Sequence, residues 1–225
     1  STDKMTSASY TASADAIPLI PQKPYAPYNR KLVQGVGVND YPTPTKVNGK
    51  DIVSYRVWHS MLVRCYSANY QKEKPTYIGC SVIKDWQLFS NFERWFSSNY
   101  VVGGRLDKDL LFPGNKVYSA ETCVFVSPAL NSLLLDHGAA RGTYPIGVHI
   151  RKDNRKYTAL ISAGARQRSL GCFSTALAAH QAWQLAKADI IANFPTTDLR
   201  VRAALDLRVV QLRDDYANNR ITVKL

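Results

Sequence analysis

Apolar positions recur at helical spacing in the first half of the chain and alternate with polar ones further on. In SYRVWHSMLVRCYSA, Val57, Met61 and Leu62 keep helical spacing with Trp58 and Cys65 beside them, which predicts a helix capped by Ser54. In IKDWQLFSNFERWFSSNY, Trp86, Phe89, Phe92 and Phe96 predict a second amphipathic segment with its aromatics in the core. GRLDKDLL reads as a strand, FPGNKVYSAET as a turn-rich loop, and CVFV as a short strand. SPALNSLLLDHG follows as a helix with Ser127 as cap, Pro128 at its first position and Gly138 past its end. Beyond a linker at HGAARGTYP, three short alternating runs (IGVHIRK, KYTALISAG, ARQRSLGCF) predict an antiparallel sheet with turns at KDNRK and AGAR. An Ala-rich helix capped by Ser174 or Thr175 comes next, with Ala176, Ala179, Trp183, Ala186 and Ile190 as the stripe that covers the sheet. A last helix is predicted over 197–216.

The fold class expected is therefore α+β: a strand–loop–strand–helix unit with flanking helices, then a three-stranded antiparallel sheet on a helix. The domains expected are a flexible arm over 1–30, a first domain over 31–138, a second over 139–195, and a C-terminal helix and tail over 196–225. The arm is rich in Ser, Thr, Ala and Pro, favours extended conformations, and is available to dock on a protein partner. VNGK in residues 47–50 predicts a tight turn.

Charge adds a partner class. The net charge is +12, and residues 150–225 carry 13 Lys/Arg against 6 Asp/Glu. A basic excess concentrated there points to a polyanion, with a solubilising surface as the alternative. No apolar run is long enough to span a bilayer, and no basic start with an apolar stretch marks a secretory signal, so no membrane is expected. Cys65, Cys80, Cys123 and Cys172 are irregularly spaced and contain no C-x-x-C pair, which argues against a zinc knuckle and for reduced, mostly buried thiols.

Two stretches resemble known families. Trp58, Met61, Arg64, Cys65, Tyr66, Trp86, Phe89, Phe92, Leu106, Asp107, Gly114, Asn115, Tyr118 and Cys123 match, in order, a group of phage HNH homing-endonuclease-like proteins. Gly147-Val148, Lys156-Tyr157, Ala159, Ile161, Leu170-Gly171 and Phe173, with Ala176, Ala178, Ala179 and Ala182, resemble an Apetala-type (ethylene-response-factor-like) DNA-binding domain. Phage HNH proteins often carry that module downstream.

The resemblance implies a DNA endonuclease that hydrolyses phosphodiester bonds with Mg2+ or Mn2+, bound to double-stranded DNA in the cytoplasm of an infected bacterial host. Hard oxygen ligands suit such a cation, which stabilises charge on the attacked phosphate. Carried over, the catalytic candidates are Asp107, Asp109, Asn115 and Asn131, with Asp107 and Asn131 as metal ligands. Asn115 is also a turn former, and Asp107 and Asp109 also read as salt-bridge partners of Arg105 and Lys108. The DNA contacts expected are Arg151, Lys152, Arg155, Lys156, Tyr157, Arg166 and Arg168, with Arg able to grip guanine bidentately and Tyr157 placed for a sugar or a thymine methyl. One departure is serious. The family's histidine should fall within 104–108, which read Gly-Arg-Leu-Asp-Lys, and the middle Asn falls near Thr122. His59 and His137 are the substitutes weighed, while His149 and His180 read as unremarkable. Two other readings stand beside the nuclease: a DNA-binding regulator or anti-defence factor on a degenerate core, and a phage structural or interaction protein.

Overall fold

The Val-Asn-Gly-Lys turn closes the first hairpin of the computed structural model, which describes residues 30–135, 142–153, 155–163 and 166–225. Asn48 and Gly49 both take left-handed backbone, as a two-residue hairpin loop requires, between β1 (Lys46–Val47) and β2 (Lys50–Asp51). The arm predicted over 1–30 falls almost wholly outside the described residues, as do His137 and Gly138.

Helix α1 (Val53–Tyr66) starts one residue before Ser54, so the serine expected as cap is instead buried within the first turn. A short α2 (Ala68–Glu73) follows, capped by the Ser67 hydroxyl. The segment read as one aromatic helix is two, α3 (Lys84–Gln87) and α4 (Phe89–Asn99). The break comes from a distant segment: the Val38 N–H donates to the Gln87 carbonyl, and the Phe89 N–H donates to the Val38 carbonyl. The aromatics expected in the core are there. Trp58, Trp86, Phe89 and Phe92 are buried in one cluster, and the Trp58 indole donates to the Trp86 carbonyl at 2.7 Å.

The strand–loop–strand–helix order is realised in β4 (Arg105–Asp107), β6 (Val124–Val126) and α5 (Pro128–Leu134), with β5 (Val117–Tyr118) inside the loop. β4 and β6 pair antiparallel, and β5 pairs in parallel with β3 (Ser81–Val82). Ser127 caps α5 and Pro128 opens it, as expected.

β7 (Val148–Ile150), β8 (Tyr157–Ala163) and β9 (Arg166–Phe173) form the expected three-stranded antiparallel sheet, in the order β7-β8-β9. It packs on α6 (Ala176–Ala192), capped by Thr175, and α6 packs in turn on α7 (Leu199–Ala217), capped by Asp198. Gly147 is required before β7: its φ is +76°, and a Cβ there would lie 2.3 Å from the Trp183 ring.

Because α6 lies between sheet and helix, it is buried on more than the predicted stripe. Ala179 and Trp183 are buried as expected, and so are His180, Gln184, Lys187 and Ile191. His180 is a working part of this core. Its Nδ1 donates to the Ile146 carbonyl at 2.8 Å, and its Nε2 accepts from the Thr222 N–H at 2.9 Å. Gln184 donates to the Thr222 hydroxyl and the Arg220 carbonyl, so the C-terminal segment is tied to α6. A single apolar cluster joins Leu110, Val126 and Leu130 to Ile161 and Trp183 and to Val201, Leu205 and Leu212 of α7. The strand–loop–strand–helix unit, the sheet and the last helix therefore share one core.

Candidate nucleic-acid interface and acidic cleft

The end of β4, α5 and α7 enclose a cleft of about 430 Å³ lined by Asp107, Asp109, Asn131 and Arg208, with leucines from all sides. Asp107 is the last residue of β4. Its Oδ1 accepts the backbone N–H groups of Asp109 at 2.8 Å and Leu110 at 2.6 Å, a carboxylate cap that turns the chain out of the strand. Among the described residues, none donates a hydrogen bond to Oδ2. Asn131 sits half-buried on α5, its side-chain amide without a hydrogen bond among the described residues, so these two residues present oxygen donors to one cleft.

The other two catalytic candidates are occupied. Asp109 lies beyond the end of β4, so it does not continue the strand face of Asp107. Both its carboxylate oxygens take a bond from the Lys108 ammonium, each at 2.9 Å. Lys108 is buried, donates also to the Asn115 carbonyl, and lies about 6 Å from the ring centres of Tyr77 and Tyr118. Asp109 thus matches the salt-bridge reading, with Lys108 as its partner. Asn115 is a staple across the loop: its amide donates to the Lys108 and Val117 carbonyls and accepts from the Val117 N–H. The Thr122 hydroxyl donates to the Val117 carbonyl. His59 is exposed on α1 and lines a different groove, and His137 lies outside the described residues.

The residue that sequence reasoning missed is Arg208. It is buried in the apolar stripe of α7, one turn from Ala204 and Leu212, which was the available signal. Its Nη1 donates to the Leu110 and Ala204 carbonyls, and its Nε is buried with no hydrogen-bond partner among the described residues. Burial pushes the guanidinium below its ordinary value, and the Asp107 carboxylate opposes that shift.

A divalent cation here would draw on one carboxylate oxygen of Asp107 and the Asn131 amide oxygen. Magnesium is commonly held by one or two carboxylates, with water and phosphate completing its shell, so this sparse donor set fits a hard cation shared with a phosphate. No cluster of three His, Cys, Asp or Glu side chains suited to a metal occurs among the described residues.

Strand pairing sorts the predicted DNA contacts by face. Opposed residues of an antiparallel pair, and every second residue along a strand, share a face. Val148, Ala159 and Ile161 face α6 and the core. Tyr157 opposes Ile150 and Phe173 on that side, and its ring centre lies 6.0 Å from that of Tyr144. It flanks the core, half-buried, on the face opposite to Lys156 and Thr158. His149, Thr158 and Cys172 form a row on the opposite, uncovered face, and Arg151 and Lys156 extend it. Lys152 and Arg155 stand in the adjoining turn, where Arg155 takes φ 54°. Arg151 pairs with Asp153 at 2.8 Å. Arg168 opposes Ile161 and Arg166 opposes Ala163, so both belong to the helix side at the far end of the sheet, where they are exposed. Four of the expected cations therefore gather at one end of the uncovered face and two lie apart.

Cys172 is the exposed thiol of the chain, while Cys65, Cys80 and Cys123 are buried and unpaired. Hydrogen bonds from Thr158 and Arg151 pull the Cys172 thiol below its ordinary value. Burial pushes Cys65 and Cys123 up to about 12.

No protein-family pattern, no curated protein and no solved structure matches this chain. Among the described residues, no helix is long and apolar enough to cross a membrane.

Proposed function

We propose that this chain binds duplex DNA through the uncovered face of the β7–β9 sheet, with the strand–loop–strand–helix unit acting as its scaffold. The observation that carries this reading is the gathering of Arg151, Lys152, Arg155 and Lys156 at one end of that face, where Asp153 pairs with Arg151. Thr158, Ser169 and Gln167 continue the face with hydrogen-bonding groups short enough to approach base edges. The bonds that engage Asp109 and Asn115, and the absence of a histidine among the described lining of the cleft, weigh against a nuclease built on the expected residues.

The test is fluorescence anisotropy on a labelled duplex across a salt series. Binding should weaken steeply, because each neutralised phosphate releases counterions, and Lys152→Ala or Arg155→Ala should each lower the log–log salt slope by about 0.9. Binding independent of salt, or slopes unchanged in both variants, would reject the reading.

A second reading is kept because Oδ2 of Asp107 and the amide of Asn131 meet in one cleft. There the chain would cut DNA, Asp107 and Asn131 holding a Mg2+ or Mn2+ ion that neutralises charge on the attacked phosphate. Lys108 fixes the carboxylate of Asp109, and Arg208 stiffens the cleft floor through the Leu110 carbonyl. Supercoiled plasmid nicked with either cation by the natural chain, and not by Asp107→Asn, would establish this reading. Plasmid left intact under both cations would leave the scaffold reading standing.

A further inference from the structure

A second basic surface lies away from the sheet, along α1. Two grooves, of about 700 and 330 Å³, meet on this helix: Arg56 and Ser60, one turn apart on its exposed face, line both. The first groove adds Lys31 and Lys46, from the segment before α1 and from the β1–β2 hairpin. The second adds Arg105 at the start of β4. Lys31, Lys46, Arg56 and Arg105 are all exposed, and none forms an ion pair among the described residues. Asp51 is the one carboxylate among the described residues that line the two grooves.

Unpaired cations held on a helix, a hairpin and a strand repel one another and gain nothing from the fold by standing together. Their shared neighbour is solvent in a groove, where charge of one sign focuses the field and draws a polyanion. Between the cations the first groove presents Thr45 and Ser60, whose hydroxyls suit phosphate oxygens, and the second adds Val53 and Val57 beside Arg56 and Arg105.

We infer that this track is a second DNA-binding surface, which holds the phosphate backbone of duplex beyond the stretch covered by the sheet. The inference rests on the DNA-binding reading above. It assigns the α1 groove a positioning role: the groove adds length and salt sensitivity to the contact and reads no sequence.

The test uses the full chain on a 40-base-pair labelled duplex, with anisotropy measured between 50 and 250 mM NaCl. Three proteins are compared: the natural chain, the groove variant Lys46→Ala/Arg56→Ala/Arg105→Ala, and the sheet variant Lys152→Ala/Arg155→Ala/Lys156→Ala. All six replaced side chains are exposed, so thermal melting should be unchanged and serves as the folding control. The groove variant should bind at least tenfold more weakly at 100 mM salt, with a log–log slope smaller by about 2 to 3, as expected for losing that many phosphate contacts. If the groove variant keeps the natural affinity and slope while the sheet variant loses both, the groove inference is overturned and the sheet reading survives. If the natural chain shows no salt-sensitive binding, both fall. If poly-glutamate displaces the duplex as well as unlabelled DNA does at equal charge, the groove holds any polyanion and the inference of a duplex site is overturned.

Discussion

Replacing Asp107 separately by alanine and by asparagine separates its two roles. In the fold, Oδ1 accepts the N–H groups of Asp109 and Leu110 where the chain leaves β4. Leu110 is buried, so its N–H has no water to turn to once the acceptor is gone, whereas the half-buried Asp109 N–H is open to partial rehydration. Losing an acceptor from a buried donor costs about 1–3 kcal/mol, and losing the bond from the rehydratable Asp109 N–H adds about 1 kcal/mol. For Asp107→Ala these sum to about 2–4 kcal/mol of lost stability. Asparagine keeps an acceptor oxygen in the same place and loses only the charge assistance, about 1 kcal/mol. Urea unfolding followed by tryptophan fluorescence reads the difference. With a slope of about 2 kcal/mol/M, the midpoint should fall by about 1–2 M for alanine and about 0.5 M for asparagine. An alanine variant as stable as the natural chain would refute the capping argument. Equal losses in both variants would show that the carboxylate charge matters and the acceptor does not. The distinction governs any cleavage assay, because an inactive alanine variant confounds a lost ligand with a lost turn.

Further predictions follow from the buried polar groups and the thiols. His180→Ala leaves the Thr222 N–H and the Ile146 carbonyl without partners in the core, and should cost about 3–5 kcal/mol in urea unfolding, with the Thr222 amide losing protection in hydrogen exchange. Lys187 is held down to about 8 by burial. Between that value and its ordinary one the unfolded chain binds more protons, so this group adds stability as pH rises through that window. Lys187→Met should therefore raise the urea midpoint at pH 7 by the equivalent of about 1–3 kcal/mol, and the gain should shrink towards pH 10; a gain that grows with pH would refute this. Iodoacetamide at pH 8 should label Cys172 in the native chain and leave Cys65 and Cys123 untouched until urea is added, as peptide mass mapping can check.

Features set by near neighbours in sequence were legible in advance. The Asn48-Gly49 turn, the Ser127-Pro128 helix start, the three strands of the sheet and the Thr175 cap all depend on residues within a few positions of one another. What was not legible depends on distant partners. The break between α3 and α4 is made by the backbone of Val38, and the pairing of β3 with β5 joins segments some thirty-five residues apart. At the site, Asp107 and Asn131 line one cleft because one strand–loop–strand–helix unit carries both, and that order was legible. The Lys108–Asp109 ion pair was one of the readings open in the sequence, whereas the burial of Lys108 that directs its ammonium to that carboxylate was not. Arg208 comes from a helix outside the resembling segments, and Tyr157 turned inward because register fixes its face.

The apolar cluster shared by the β4–β6 unit, the sheet and α7 has a geometric consequence. A linker between two cores would let a reading head and a cutting head wander over many base pairs. Here the cleft at Asp107 and the sheet are built on the same packed interior. On the DNA-binding reading proposed above, the chain would work as a caliper with a fixed jaw, and any contact made at the cleft would fall at a constant offset, in base pairs, from the stretch held by the sheet.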